Sequence, residues 1–189
     1  MIKKFILLCF FILNSQKLLS QEIDEWFNQE SNGFLELMKS GDTQNKNNYE
    51  LYLTYVKKNF AVKSIAYSLI NEEIINNSDQ SILDSYLQVF EDYLTKTIYN
   101  LADPNYSGKI DLISIDESDG IYIVASEIND GDGKIRLYWK AVAVNDSYKI
   151  IDVIIENTSY FVTKKTEFSK ILRKNKNDIK KLILELQNI

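Results

Sequence analysis

Between Ile110 and Ile155 the chain makes four short runs of period-two apolar patterning, each stopped by a turn signal. Ile110–Ile115 ends at Asp116-Glu-Ser-Asp-Gly120, and Ile121–Ile128 ends at Asn129-Asp-Gly-Asp-Gly133. Lys134–Val144 ends at Asn145-Asp-Ser147, and Tyr148–Ile155 ends at Glu156-Asn157. Connections this short force antiparallel neighbours, so the segment reads as a four-stranded antiparallel meander. Everything else must pack around it.

The remainder is helical in period. Ile23, Trp26, Phe27, Phe34 and Leu37 mark a first helix, loosened at Ser31-Asn-Gly33. Tyr49, Leu51, Tyr52, Tyr55 and Val56 mark a second, and a third runs from Val62 to Ile70. The strongest spans Ser78 to Ala102, with Ser78 as N-cap and an apolar stripe from Ile82 to Leu101. The only proline, Pro104, stands where helix gives way to strand. Two helical stretches follow the meander, one carrying Phe168, Ile171 and Leu172, the other starting after an Asn177/Asp178 cap. The class is α+β, with helices before and after an antiparallel sheet.

The third strand puts Ile135, Leu137, Trp139, Ala141 and Ala143 on one face, and the other face keeps Val142 and Val144. In the fourth, strict alternation sets Ile150 and Ile154 opposite Ile151, Val153 and Ile155. A sheet wetted on one side should alternate more cleanly. Two readings stand: helices cover both faces, or one face lines an apolar cavity.

Composition removes whole classes of chemistry. The 189 residues include no His and a single Cys, Cys9. Triads built on Ser, His and Asp, Cys–His pairs and His-ligated metals therefore lack their central group. Met1-Ile-Lys-Lys followed by the apolar run Phe5–Leu13 reads as a cleaved signal peptide over residues 1–20, which leaves a single domain over 21–189. The apolar run rises only about 14 Å as helix, too little to span a bilayer. Removing residues 1–20 takes Lys3, Lys4 and Lys17 and no acid, deepening the formal charge from −5 to −8. An acidic body argues against nucleic acid as partner. The bases are unevenly spread, however: Lys164, Lys165, Lys170, Arg173, Lys174 and Lys176 share a stretch with one acid, Glu167.

Asn129-Asp-Gly-Asp-Gly133 lacks the alternating ligands and distal Glu of a calcium loop and reads as a hairpin turn. Asp152 and Glu156, four apart at a strand end, would act as a glycosidase pair only at about 5–9.5 Å separation in a sugar-sized cleft.

Residues 148–168 run Tyr-Lys-Ile-Ile-Asp152-Val-Ile-Ile-Glu156-Asn-Thr-Ser159 and on to Lys165-Thr-Glu-Phe168. Asp152, Val153, Glu156, Ser159 and Phe168 resemble the signature of the MlaC family, also called the Ttg2 toluene-tolerance family. Lys165 stands where that family has Arg, Asn157 where it has Gly, and Lys164 where Tyr is common. The segment Phe60–Leu69 is similar to the family's Asp-Phe stretch, with Asn59 replacing the Asp. Tyr86, Phe90, Leu94 and Tyr99 follow its long-helix spacing, and Tyr106-Ser-Gly108 resembles its entry to the first strand. The shared order covers about 130 residues.

The resemblance implies an NTF2-like fold enclosing an apolar pocket, and a periplasmic phospholipid carrier rather than an enzyme. Its partners would be an outer-membrane lipoprotein complex and an inner-membrane ABC transporter bearing an MCE-domain protein; no cofactor is implied. Pocket candidates on the sheet's concave face and the long helix are Leu69, Phe90, Leu94, Tyr106, Ile123, Leu137, Trp139, Val153, Ile155, Phe161 and Phe168. By its match to the family's Arg, Lys165 is the candidate for phosphate contact at the mouth. The alternatives are an NTF2-like envelope enzyme working through carboxylate and Tyr groups, and an envelope interaction protein that binds no lipid.

Overall fold

A computed structural model describes residues 22–40, 46–129 and 133–189. The expected signal peptide lies outside the described residues.

Helix α1 (22–39) runs unbroken through Ser31-Asn-Gly33, where the sequence pattern suggested a break. The reason is local. The Ser31 hydroxyl and the Asn32 amide both donate back to the Asn28 carbonyl, at 3.3 and 2.7 Å, and so stay within the helix. The buried stripe also keeps its phase across the segment, through Phe27, Glu30, Ser31 and Leu35.

Next come α2 (Lys46–Asn59), α3 (Val62–Ser68), the short α4 (Glu72–Asn77) and the long α5 (Gln80–Tyr99). The third helical pattern is thus followed by a separate turn of helix, and Ser78 closes that turn instead of opening the long helix. Its hydroxyl donates to the Ile74 carbonyl at 2.7 Å, and Asp79 takes the N-cap position. Two closing helices, α6 (Tyr160–Lys174) and α7 (Ile179–Gln187), start at Ser159 and Asp178, whose side chains accept from Val162 and Lys180 backbone N–H.

The strands β1 (Lys109–Ser118), β2 (Ile121–Asn129), β3 (Lys134–Val144) and β4 (Ser147–Ile155) form the expected antiparallel meander. A fifth strand, β5 (Thr158–Ser159), extends the expected four. Glu156 and Asn157, with φ of 47° and 68°, make a two-residue turn that folds the chain straight back. Ile155 then pairs with Thr158 and Ile154 with Ser159.

A bulge corrects the facing of β4. Lys140 pairs with Asp152 and Ala141 with Ile150, so Ile151 is an extra residue. Ile150 therefore shares a face with Val153 and Ile155, which simple alternation placed on opposite sides.

Among the described residues the packing forms two clusters. The larger joins α2, α3, α5, α6 and α7 around Tyr52, Phe90, Phe168 and Leu182. The smaller seats Ile23 and Phe27 of α1 on Tyr122, Val124, Ala141 and Tyr148 of the sheet. Trp26 and Trp139 touch both.

Candidate functional site

The strand register stacks the helix-facing side of the sheet into cross-strand rungs. Ile110, Ile128 and Ile135 form the first, and Leu112, Ser126, Leu137 and Ile155 the second. Ile115, Val124, Trp139 and Val153 form the third, and Tyr122, Ala141 and Ile150 continue into the fourth. Burial is graded along them. The fourth rung is sealed, while Ile110, Leu112, Ile128, Ile135 and Val153 are half-buried and Ile155 is 44% exposed. Among the described residues, Ile128, Ile135 and Ile155 belong to neither packed cluster. An apolar surface continuous with the core is thus left partly uncovered at one end. Aliphatic side chains lining such a face offer dispersion and water exclusion and no reactive group.

Trp139 sits at the boundary. Its indole N–H donates to the Ser126 hydroxyl at 2.9 Å, and its ring meets Phe27 edge-on at 6.2 Å. Fully buried Ser126 supplies the partner that lets a Trp stand on this face.

Of the pocket candidates, Leu137, Trp139, Val153 and Ile155 share this face in adjacent rungs. Leu69, Phe90, Leu94, Phe161 and Phe168 lie in the adjoining helical cluster, all buried, with Phe90 and Phe168 T-shaped at 6.4 Å. Ile123 pairs with Asp116 and Lys140 and so points to the opposite face of the sheet. Tyr106 precedes β1 and covers Gly108, where a β-carbon would run into the phenol ring. Sequence reading missed Ile110, Leu112, Ile128 and Ile135. Folding the hairpin about its turn would have found the last two, because Ile128 sits directly opposite Ile135.

The signature residues build the corner that anchors α6. The Ser159 hydroxyl donates to Asp152 at 2.8 Å while its oxygen caps Val162 N–H at 3.0 Å. Asp152 also accepts from the Val153 and Phe161 N–H groups, at 2.9 and 3.4 Å. Its two oxygens are thereby committed to structure. Glu156 is exposed in the turn.

Two lysines flank the buried stripe of α6. Lys164 pairs with Glu167 at 2.8 Å and lies 5.4 Å over the Tyr160 ring. Burial pulls its pKa down, but hydrogen bonds to Glu167 and Tyr93 and their charges outweigh this and hold it above the ordinary lysine value. Tyr160 meets the Tyr93 hydroxyl at 3.5 Å, and its own pKa is raised, chiefly by burial. Lys165 stands apart, exposed in a cleft with no lining residue from the sheet. A further cleft of about 590 Å³ opens between α1 and the β3–β4 turn, where Glu30 takes hydrogen bonds from Lys58 and Asn59.

Among the described residues no group of acidic side chains is placed to hold a metal ion, and no helix is long and apolar enough to cross a membrane. Of the Asn129–Gly133 loop, residues 130–132 lie outside the described residues; the strands beside it pair directly, Asn129 opposite Lys134.

A five-stranded meander with helices packed on one apolar, partly uncovered face defines an α+β domain. The MlaC protein family matches residues 28–188, and the chain belongs to that family. Among solved structures the fold is similar to a phospholipid-binding protein from Ralstonia solanacearum, determined in complex with a phospholipid. That similarity has a TM-score of 0.66 at 14% identity and covers 92% of this chain and 94% of the other. No curated protein sequence matches the chain.

Proposed function

We propose that the protein is a phospholipid carrier, which lays acyl chains along the half-open rungs of the sheet and leaves the polar end of the lipid outside. After removal of residues 1–20 it works in the periplasm, passing lipid between an outer-membrane lipoprotein complex and an inner-membrane MCE/ABC transporter. It performs no covalent chemistry on its cargo.

The observation that carries this reading is the uncovered apolar face. A 16-carbon chain exposes some 14–15 CH₂ groups at ~0.8 kcal/mol each, so two chains bare in water cost more than ~20 kcal/mol. A soluble carrier must supply apolar surface in their place, and the partly exposed Ile128, Ile135 and Ile155 are the side chains this reading assigns to it. Membership of the MlaC family and the likeness to a structure holding a phospholipid support the reading.

The test is lipid extraction and native mass spectrometry on protein purified from the envelope without detergent. A co-purified phospholipid is expected. A lipid-free protein with measurable hydrolytic turnover would replace the carrier with an envelope enzyme, and a lipid-free inert one with an interaction protein.

A further inference from the structure

α6 carries a second polar feature, away from the sheet. A cleft of about 380 Å³ is bounded by α6, by Asn71 between α3 and α4, and by Asn177 between α6 and α7. Lys165, Ser169 and Arg173, spaced i, i+4 and i+8, line up along one ridge of the helix and all reach the cleft. Buried Leu172 also lines it, and Val162, 63% exposed, stands on its rim.

The electrostatics are one-sided. Among the described residues neither Lys165 nor Arg173 takes part in an ion pair, whereas neighbouring Lys164 is paired. The stretch's one acid, Glu167, is held by Lys164, and Asp178 is used to cap α7. Glu72 and Glu73 lie in the first turn of α4, and neither lines the cleft. Arg173 donates its Nε–H to the Ser169 carbonyl at 3.2 Å, which fixes the side chain and leaves both terminal nitrogens to donate. The Ser169 hydroxyl and the amides of Asn71 and Asn177 have no protein partner among the described residues.

We propose that this cleft is a phosphoryl-binding site, separate from the acyl face, in which Lys165 and Arg173 supply charge and Ser169, Asn71 and Asn177 supply neutral donors. Two cations and several donors converging on one small space suit a tetrahedral oxyanion, which offers more acceptor oxygens than a carboxylate. The phosphoryl group comes either from a lipid headgroup presented by a leaflet or from a soluble phosphate. The site goes beyond the carrier reading and does not need it, because no acyl chain takes part.

The experiment titrates the mature protein with inorganic phosphate while amide NMR shifts are followed. In parallel, binding to phosphatidylglycerol and phosphatidylcholine vesicles is measured by sedimentation. Saturable shifts confined to residues 162–177 and Asn71 are expected, weakened about tenfold by Arg173→Gln and by Lys165→Gln, and partly restored by Arg173→Lys. Sedimentation with phosphatidylglycerol that Arg173→Gln diminishes assigns the phosphoryl group to a leaflet; phosphate binding without vesicle binding assigns it to a soluble phosphate. Absence of both, or a response equal in wild type and Arg173→Gln, overturns the site. Co-purified lipid measured in Arg173→Gln should equal that of wild type, so the carrier reading and this one fail separately.

Discussion

Asn157 has φ of 68°, in the left-handed region that Asn reaches more readily than any residue but Gly. The substitution of Asn for the family's Gly is therefore a conservative one for this turn. Asn59 has a comparable explanation. Fully buried, it donates its amide to Glu30 Oε2 at 2.9 Å, which an ionised Asp could not do. Asn59→Asp should destabilise the fold by about 2–4 kcal/mol at neutral pH, because two carboxylates would share one buried site. Protonating the introduced carboxyl would remove the repulsion, so the penalty should shrink in acid, which urea unfolding at several pH values would show. Ser159→Ala removes a cap and a donor to Asp152 together. A loss of about 1–2 kcal/mol in the same assay is expected. These signature residues were legible in the sequence as a pattern. Their role as a corner was not, since nothing in the pattern says that Ser159 bonds Asp152 across a two-residue turn.

At the level of elements, helices and strands were legible wherever one periodicity ran long enough to be read, as in α5 and the meander. The failures share a cause: single residues that shift phase or reverse direction. Ile151 adds one residue to β4 and moves Ile150 to the face of Val153, while Ser78 ends one helix two residues before the next begins. Ile123 was misplaced because strand pairing, which decides its face, is not a local property. The helical layer itself depends on buried phenols. Tyr52 donates to the Leu37 carbonyl at 2.7 Å and Tyr86 to the Ala66 carbonyl at 2.8 Å, and burial raises the pKa of both. Their stabilisation is complete below the unfolded tyrosine pKa of about 10. Above it the unfolded chain loses protons that the folded one retains, so stability falls as pH rises. The urea midpoint should drop between about pH 9 and about pH 11, and drop less in Tyr86→Phe.

For the whole molecule, the arrangement separates two tasks. One end of the sheet is sealed by α1 and the helical cluster, which gives the fold its stability. The other end leaves apolar side chains partly uncovered, and those are the cargo surface of the proposed carrier. Ile135→Lys should place a charge on the first rung without touching either packed cluster. Retained lipid should fall at least about tenfold, with the thermal midpoint little changed, as a buried charge is costly to a bound chain and a half-buried one costs the free protein little. The most direct measurement is paramagnetic broadening from a phospholipid spin-labelled along its acyl chain. The account predicts broadening at Ile110, Ile128, Ile135 and Ile155, with Ile123 and Lys140 on the opposite face less affected. Broadening centred on Ile123 and Lys140, or none at any residue of the sheet, would contradict it.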